Sequence, residues 1–364
     1  MKYLSEYRNP ALANEYLKRI HEVVTRPWNL MEICGGQTHS LVKNGIPALL
    51  PYQVNMLHGP GCPVCVTSMH TIDEAIYIAA QEKVIFCSFG DMLRVPGSVS
   101  SLLQLKSTGA DIRILYSPLE AVEIARQNPE YEVVFFAVGF ETTAPANALS
   151  VIQADKMGID NYSILASHVL VPPAMEALLG DPENSIHAFL AAGHVCSIMG
   201  IDEYYPISEK YKIPVIVTGF EPLDLLQGIL MAVTQLEKGE YKVENQYARA
   251  VQREGNRLAR NSMQEVFEIK DRTWRGIGPI VNSGLELNDR YKKYNARLKF
   301  KPAIPVAEEN RHCISGDIMK GLKKPVQCPN FGTACNPEHP LGAPMVSSEG
   351  ACAAYYHYSN TNNN

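Results

Sequence analysis

A Cys-x-x-Cys pair, Cys62 and Cys65, stands in the turn HGPGCPVCV directly before a segment with helical spacing. The glycines and Pro60 impose the turn, and the pattern TSMHTIDEAIYIAA predicts a helix with Ile72 and Ala75 on its buried face. Because the positive end of a helix dipole stabilises a thiolate, the pair suits a dithiol that cycles with a disulfide and delivers two electrons. A structural turn with inert thiols is the alternative interpretation.

A third cysteine, Cys34, ends the strand pattern NLMEIC and precedes two glycines. This places a thiol at a strand end where backbone N–H groups can approach a ligand. His39 follows in the same segment and is a candidate second ligand or base, or a residue of a helix face. A solitary cysteine is as readily a core residue, but three thiols on adjacent loops form a candidate metal or redox centre.

Four further cysteines fall in the last part of the chain, on segments dense in proline and glycine. They are Cys313, Cys328, Cys335 and Cys352. Zinc sites usually bring their cysteines in pairs two to four residues apart, and this set contains no such pair. A [4Fe–4S] cluster also takes four thiolates and accepts them from well-separated loops. The spacing favours the cluster, while zinc and unliganded or disulfide-bonded cysteines remain alternatives.

The elements that position these residues follow an α/β pattern from about residue 28 to 236, where short apolar runs alternate with helical patterns. Three of the runs stop at a glycine and then present a carboxylate, namely Asp91, Glu141 and Glu221. Loops after the carboxyl ends of strands form the ligand crevice of open α/β sheets, so these carboxylates are candidates to face one cleft. Capping of a helix is an equally good interpretation of each. Asp91 and Glu141 are therefore candidate catalytic residues.

The organisation of the chain is predicted from turn segments that recur at similar intervals, such as MEICGGQTHSL, LHGPGCPVC and CSFGDML. This weak repeat predicts two related parallel-sheet α/β domains, over 28–130 and 131–236. Residues 1–27 contain one amphipathic helix pattern, which we expect to pack on the third domain. That third domain, 237–364, is expected to be helical, rich in loops and the carrier of an iron–sulfur cluster.

The composition limits the function classes. The net charge is -5 and no basic block stands out, so nothing favours nucleic acid binding. No apolar run has the length that spans a bilayer, and the beginning MKYLSEYRNP lacks a signal-peptide pattern, so a cytoplasmic protein is expected. Thiols stay reduced in that compartment, so the nine cysteines are more readily ligands, redox groups or core residues than structural disulfides.

Several segments, taken in order, resemble the HypD family of hydrogenase maturation factors from about residue 28 to 358. They are MEICGGQTHS, HGPGCPVCV, SFGDMLRVPGS, GFETTAP, GFEPLDLL, WRGIG, the four-cysteine tail and EGACAAYY. The resemblance implies a scaffold that works with the small chaperone HypC while cyanide and CO are assembled into the Fe(CN)2CO centre of [NiFe]-hydrogenases, with HypE as cyanide donor. The sequence leaves the oligomeric state open, and we expect a monomer that forms a heterodimer with HypC.

The resemblance also implies roles for the cysteines. Cys34 would hold the iron together with a HypC cysteine, Cys62 and Cys65 would be the redox dithiol, and the four tail cysteines would bind a [4Fe–4S] cluster that supplies electrons. The protein would then be a metallocentre assembly scaffold with thiol redox activity rather than a conventional turnover enzyme. The competing interpretation is an α/β enzyme with Cys34 as nucleophile, His39 as base and a structural zinc in the tail. A platform with inert thiols is a third.

Overall fold

Two open β-sheets with helices around them form the core of the computed structural model, which describes residues 5–305 and 311–359. The strands are β1 (Trp28–Glu32), β2 (Val54–His58), β3 (Val84–Ser88), β4 (Ile112–Ile114), β5 (Glu132–Gly139), β6 (Tyr162–Val169), β7 (Ala188–Ala192), β8 (Val215–Thr218), β9 (Val243–Asn245), β10 (Phe267–Trp274) and β11 (Gly278–Leu287). The predicted α/β fold with parallel sheets is confirmed.

The helices are mostly short and follow the strands. They are α1 (Pro10–Val23), α2 (Gly35–Lys43), α3 (Ile46–Leu49), α4 (Pro63–Val66), α5 (Met69–Ala79), α6 (Leu102–Ser107), α7 (Pro118–Gln127), α8 (Ala144–Met157), α9 (Val171–Leu179), α10 (Gly193–Met199), α11 (Tyr204–Tyr211), α12 (Pro222–Lys238), α13 (Arg257–Val266), α14 (Ala296–Phe300), α15 (Ser315–Met319) and α16 (Ala351–Tyr358). Turns of 3-10 helix lie at Ser5–Arg8, Gly90–Arg94, Asp289–Tyr294, Pro325–Gln327 and Ala343–Met345. No helix in the described ranges is long and apolar enough to cross a membrane.

The first sheet has the strand order β2-β1-β7-β8-β9, and all its neighbouring strands are parallel. Its central strands β7 and β8 are buried along their whole length, as expected for strands covered on both faces. Since β1 and β2 are parallel neighbours, their carboxyl ends lie side by side, which brings the loops after Glu32 and His58 together.

The second sheet has the order β10-β11-β6-β5-β3-β4. Strands β4, β3, β5 and β6 are parallel, and the antiparallel hairpin β10–β11 extends the sheet beside β6. The strand β5, EVVFFAVG, shows the continuous apolar run of a strand buried on both faces.

The two sheets are not made from the ranges 28–130 and 131–236 that the repeat suggested. The first sheet takes β1 and β2 from the first range and β7 and β8 from the second, and the second sheet also draws on both. Similar turn segments occur in both sheets because every parallel strand needs a comparable loop at its carboxyl end. Which strands become neighbours is decided by contacts that are distant in sequence, and a local repeat carries no information about them.

The ends of the chain also differ from expectation. Helix α1 packs on α12 of the first sheet rather than on the third region, with Ile20 in the same apolar cluster as Leu226 and Ile229. The range 237–364 is not a separate helical domain, because it supplies β9 to the first sheet and β10 and β11 to the second. Its cysteine-rich part consists of short helices and loops, as predicted.

Candidate metal and redox centre

The thiol of Cys34 lies where β1 passes into α2, and only 2% of the residue is exposed. The turn that carries the Cys-x-x-Cys pair packs directly on it. Gly61 accepts a hydrogen bond from the N–H of Gly35 at 2.8 Å, and a Cβ at Gly61 would overlap the backbone N and Cα of Cys34. The sequence prediction that these loops are adjacent is therefore matched by a close approach of two backbones that only glycine permits.

Cys62 and Cys65 form a disulfide in the structure, and both are buried. Cys62 is the N-cap residue of α4, and its Sγ accepts a hydrogen bond from the Cys65 N–H at 3.3 Å. The helix that the following pattern predicted begins later, at Met69, with Ser68 as its N-cap. The pair therefore lies at the start of a single helical turn, placed between Cys34 and the longer helix.

His194 is the side chain that faces Cys34 across the first sheet. Its Nδ1 lies 3.6 Å from the Cys34 Sγ, and its ring stacks on Phe220. Burial raises the pKa of the Cys34 thiol and lowers the pKa of His194 to about 4, so both groups are neutral in the pocket. Sequence reasoning did not assign a role to His194, because it reaches Cys34 only through the pairing of β7 with β1.

A buried carboxylate supports the turn at Cys34. Glu32 is fully buried and accepts hydrogen bonds from the Cys34 N–H at 3.1 Å, from the Thr38 hydroxyl and from His58 Nδ1 at 2.8 Å. Burial raises its pKa, while the bonds from His58, Thr38 and Cys34 oppose the rise. Sequence analysis missed Glu32 and His58; the available signal was a residue able to form hydrogen bonds at the carboxyl end of each of the two strand patterns.

The candidate residues Asp91 and His39 lie near Glu349, a carboxylate that sequence reasoning missed. Glu349 packs so closely on Gly35 that a Cβ atom at Gly35 would overlap it. The pKa of Glu349 is raised, mainly by burial and further by the Asp91 carboxylate, while His39 lowers it. Glu349 is nevertheless accessible to solvent. His39 itself is bonded through Nδ1 to the Ser348 carbonyl at 3.0 Å. Asp91, His39 and Glu349 thus lie around the approach to Cys34.

Glu141 has different surroundings from Asp91. It is fully buried, accepts the Val171 N–H at the start of α9 at 2.8 Å, and its Oε2 has no hydrogen-bond partner among the described residues. Burial raises its pKa to about 8. Glu221 lies elsewhere again, paired with Arg8 and part of the N-cap of α12. The expectation of one cleft shared by Asp91, Glu141 and Glu221 is therefore corrected: Glu141 caps a helix inside the protein.

The four tail cysteines line one cavity. Cys313, Cys328, Cys335 and Cys352 all contribute to its wall, together with apolar residues such as Phe331 and Met345. Burial raises the pKa of Cys352, and the other three thiols raise it further by their charge, which places the four near one another. A Cβ at Gly342 would overlap the Cys313 Sγ, so the wall is tight there.

The donor set of this cavity matches, by its chemistry, the four thiolates that an iron–sulfur cluster takes. Within residues 5–305 and 311–359, no three His, Cys, Asp or Glu side chains meet closely enough to hold one metal ion. Four thiols around a common apolar cavity are the donors that a [4Fe–4S] cluster uses, and it spaces them more widely. The cavity also adjoins the disulfide, because α4 contacts the 3-10 turn Ala343–Met345, which supplies part of the wall.

The chain was compared with known protein families. The family description "Hydrogenase formation hypA family", HypD, matches residues 11–359. The chain belongs to the HypD family.

Relatives of this HypD-family chain match it from end to end. It is 47% identical to the hydrogenase maturation factor HypD of Rhodobacter capsulatus, with 98% of each chain covered. It is 45% identical to the hydrogenase maturation factor HypD of Escherichia coli, again with 98% of each covered. The similarity to the hydrogenase expression/formation protein HupD of Azotobacter chroococcum is 45%, over 98% of this chain and 97% of the other.

In this HypD-family protein, the structure brings together three of the groups that the sequence singled out. Cys34, the Cys62–Cys65 disulfide and the four-cysteine cavity form a continuous series from the first sheet to the C-terminal helix. Asp91 and His39 lie at its approach, and Glu141 lies apart. The fully buried Cys87, in the core of the second sheet, takes no part in the series.

Proposed function

We propose that this protein is a hydrogenase maturation factor that holds iron on Cys34 while cyanide and CO are attached to it. The proposal rests on membership of the HypD family and on relatives named as hydrogenase maturation factors. The observation that carries it is the contact series of one buried thiol, one disulfide and one four-thiol cavity. In this proposal HypC covers the Cys34 pocket and supplies a second thiolate, and HypE delivers the cyanide.

The iron is cargo in this proposal, and the Cys34 pocket suits it. Low-spin Fe(II) with cyanide and CO is a soft centre, for which thiolate is a matched ligand. Since burial raises the pKa of Cys34, the thiol stays protonated until a metal displaces the proton, which couples iron binding to proton release. His194 Nδ1 lies 3.6 Å from the sulfur, and in this proposal its neutral imidazole relays that proton away from the pocket.

The disulfide gives the pocket a neighbour that can store two electrons. Reduction breaks the S–S bond of Cys62 and Cys65 and needs two electrons and two protons, after which both residues carry thiols. A [4Fe–4S] cluster, when bound by the four tail cysteines, supplies electrons singly. Two such electrons, taken up together with two protons, would convert the disulfide beside Cys34 into the dithiol. The hydrogen bond from the Cys65 N–H to Cys62 Sγ marks Cys62 as the sulfur whose thiolate is stabilised after reduction.

Infrared spectroscopy of the protein co-purified with its HypC partner tests the iron proposal. Bands of metal-bound cyanide and CO are expected from the wild-type complex and from Cys87→Ala, which removes a fully buried thiol in the other sheet. The same bands should be absent for Cys34→Ala. Equal bands in the Cys34→Ala complex would refute the assignment of the iron to this thiol.

The cluster is tested separately on anaerobically purified protein. We expect a brown protein with absorbance near 400 nm and about four iron atoms per chain, both lost in Cys335→Ser. The competing enzyme with a structural zinc predicts a colourless protein with about one zinc ion. A colourless, zinc-containing wild type would overturn the cluster assignment and favour that alternative.

A further inference from the structure

A chain of hydrogen bonds, buried at Glu32 and His58 and partly buried at Tyr355, connects Cys34 with the helix that carries Cys352. Glu32 accepts the Cys34 N–H and His58 Nδ1, and His58 Nε2 lies 2.9 Å from the hydroxyl of Tyr355 in α16. We propose that Tyr355 is a positioning residue that holds Cys34 through His58 and Glu32. The placement of the Cys34 turn then depends on the helix that carries one of the four cavity thiols. The first part stands on the hydrogen bonds alone, and the link to a bound cluster rests on the proposed function.

The first step is the orientation of the His58 ring. Its two nitrogens are held from opposite sides, Nδ1 by Glu32 at 2.8 Å and Nε2 by the Tyr355 hydroxyl at 2.9 Å. The Tyr355 ring also packs edge-on against the imidazole, with the centroids 5.3 Å apart. His58 is 2% exposed, so water does not compete freely for these bonds. Burial raises the pKa of Tyr355 to about 12, which keeps its hydroxyl protonated and able to donate.

The second step runs from His58 through Glu32 to the turn at Cys34. The Glu32 carboxylate bonds the backbone N–H of Cys34 at 3.1 Å and the Thr38 hydroxyl in the first turn of α2. When a buried carboxylate loses a hydrogen-bond donor, one of its oxygens is left unsatisfied, which costs free energy. The carboxylate is therefore expected to move towards another donor. A change in the His58 ring is therefore transmitted to the residue that carries the Cys34 thiol.

The third step lies in α16. Cys352 and Tyr355 are three residues apart in one helix, so they lie on adjacent positions of one face. Helix α16 also packs on α2, the helix whose N-cap residue is Cys34. Fixing Cys352 in the cavity sets the position of the Tyr355 hydroxyl. Helix α16 therefore acts on Cys34 in two ways: it packs on α2, which follows Cys34, and it is linked through Tyr355, His58 and Glu32 to the Cys34 N–H.

Alkylation of Cys34 measures how firmly this turn is held. The thiol is 2% exposed, so iodoacetamide reaches it only when the turn opens, and the rate follows the population of the open form. The experiment uses the full-length protein, purified anaerobically without its partner, and reads each cysteine by mass spectrometry of its peptide. The fully buried Cys87 serves as internal reference, because general unfolding would raise its rate as well.

We expect Tyr355→Phe to raise the Cys34 rate about fivefold, the change that corresponds to loss of one buried hydrogen bond, with the Cys87 rate unchanged. Tyr356→Phe is the matched control on the same helix, since its ring contacts Phe331 instead, and it should leave the Cys34 rate unchanged. His58→Gln should act like Tyr355→Phe, and the double variant should show less than the product of the two effects, because both remove the same connection.

The effect of the cavity is read by removing bound iron with a chelator. We expect the Cys34 rate of the wild type to rise towards that of Tyr355→Phe, and the rate of the variant to change little. An unchanged Cys34 rate in Tyr355→Phe, or an equal rise at Cys34 and Cys87, would overturn the proposal. Absence of iron from the wild type would instead refute the cluster, and the comparison of the variants in the metal-free protein would still decide whether Tyr355 positions Cys34.

Discussion

Replacing Glu141 by glutamine should change how the stability of the protein depends on pH. Glu141 is fully buried and uses one oxygen to cap α9 through the Val171 N–H, while its second oxygen has no hydrogen-bond partner among the described residues. Glutamine has the same shape, and its carbonyl oxygen can still accept the Val171 N–H. The substitution therefore removes the ionisation of the group and leaves the cap in place.

The magnitude follows from the shift of the pKa. Burial raises the pKa of Glu141 from 4.5 to about 8 in the folded protein. A carboxyl group with a raised pKa contributes stability that is fully present below pH 4.5 and is lost as the pH rises through about 8. Between pH 5 and pH 7 the loss for this one group is roughly 2.5 kcal/mol, an order-of-magnitude value.

The assay is urea unfolding of wild type and Glu141→Gln at pH 5, 6 and 7, with the free energies of unfolding compared at each pH. The wild type should lose about 2.5 kcal/mol relative to the variant across this range. Glu123→Gln is the control, because Arg126 and Gln127 lower the pKa of that exposed carboxylate to about 2 and its difference from wild type should stay nearly constant. A constant difference for Glu141→Gln would refute the view of Glu141 as a buried, protonated helix cap.

Two further substitutions test the packing around the centre. Gly61→Ala should lower the free energy of unfolding by about 2 kcal/mol and raise the alkylation rate of Cys34, because the new methyl group would overlap the backbone of Cys34. Gly90→Ala is the control and should be near neutral, because the new methyl group would lie 3.7 Å from its nearest neighbour, Ile114. Arg297→Met should cost about 3 kcal/mol in urea unfolding, because it removes the Nε–H that donates to both carboxylate oxygens of the buried Glu74. A loss below about 1 kcal/mol would show that the pair is effectively solvated.

The cysteines proposed to carry the chemistry could be singled out from the sequence because their signals are local. Residue types and spacings reveal the Cys-x-x-Cys turn, the cysteine after the first strand and the four thiols of the tail. The structure joins Cys62 and Cys65 in a disulfide and gathers the four tail cysteines around one cavity. Glu141 was the misleading case. A carboxylate after a strand has the same local pattern whether it is partly exposed and paired with an arginine, as Asp91 is with Arg94, or caps a buried helix, as Glu141 does.

The sequence alone indicated the alternation of strands and helices over 28–236, since apolar runs and helical periods encode these elements locally, but it did not indicate the strands β9, β10 and β11. It also determined the family, through motifs in a fixed order. Only the tertiary structure decided which strands became neighbours, and with them the partners of Cys34: His194 across the sheet, Glu32 and His58 beneath the turn, and Glu349 at the approach. Apart from Glu32, which is two residues before Cys34, those partners come from distant segments. Their choice depends on the strand order of the first sheet and on the packing of the C-terminal segment, which no local pattern records.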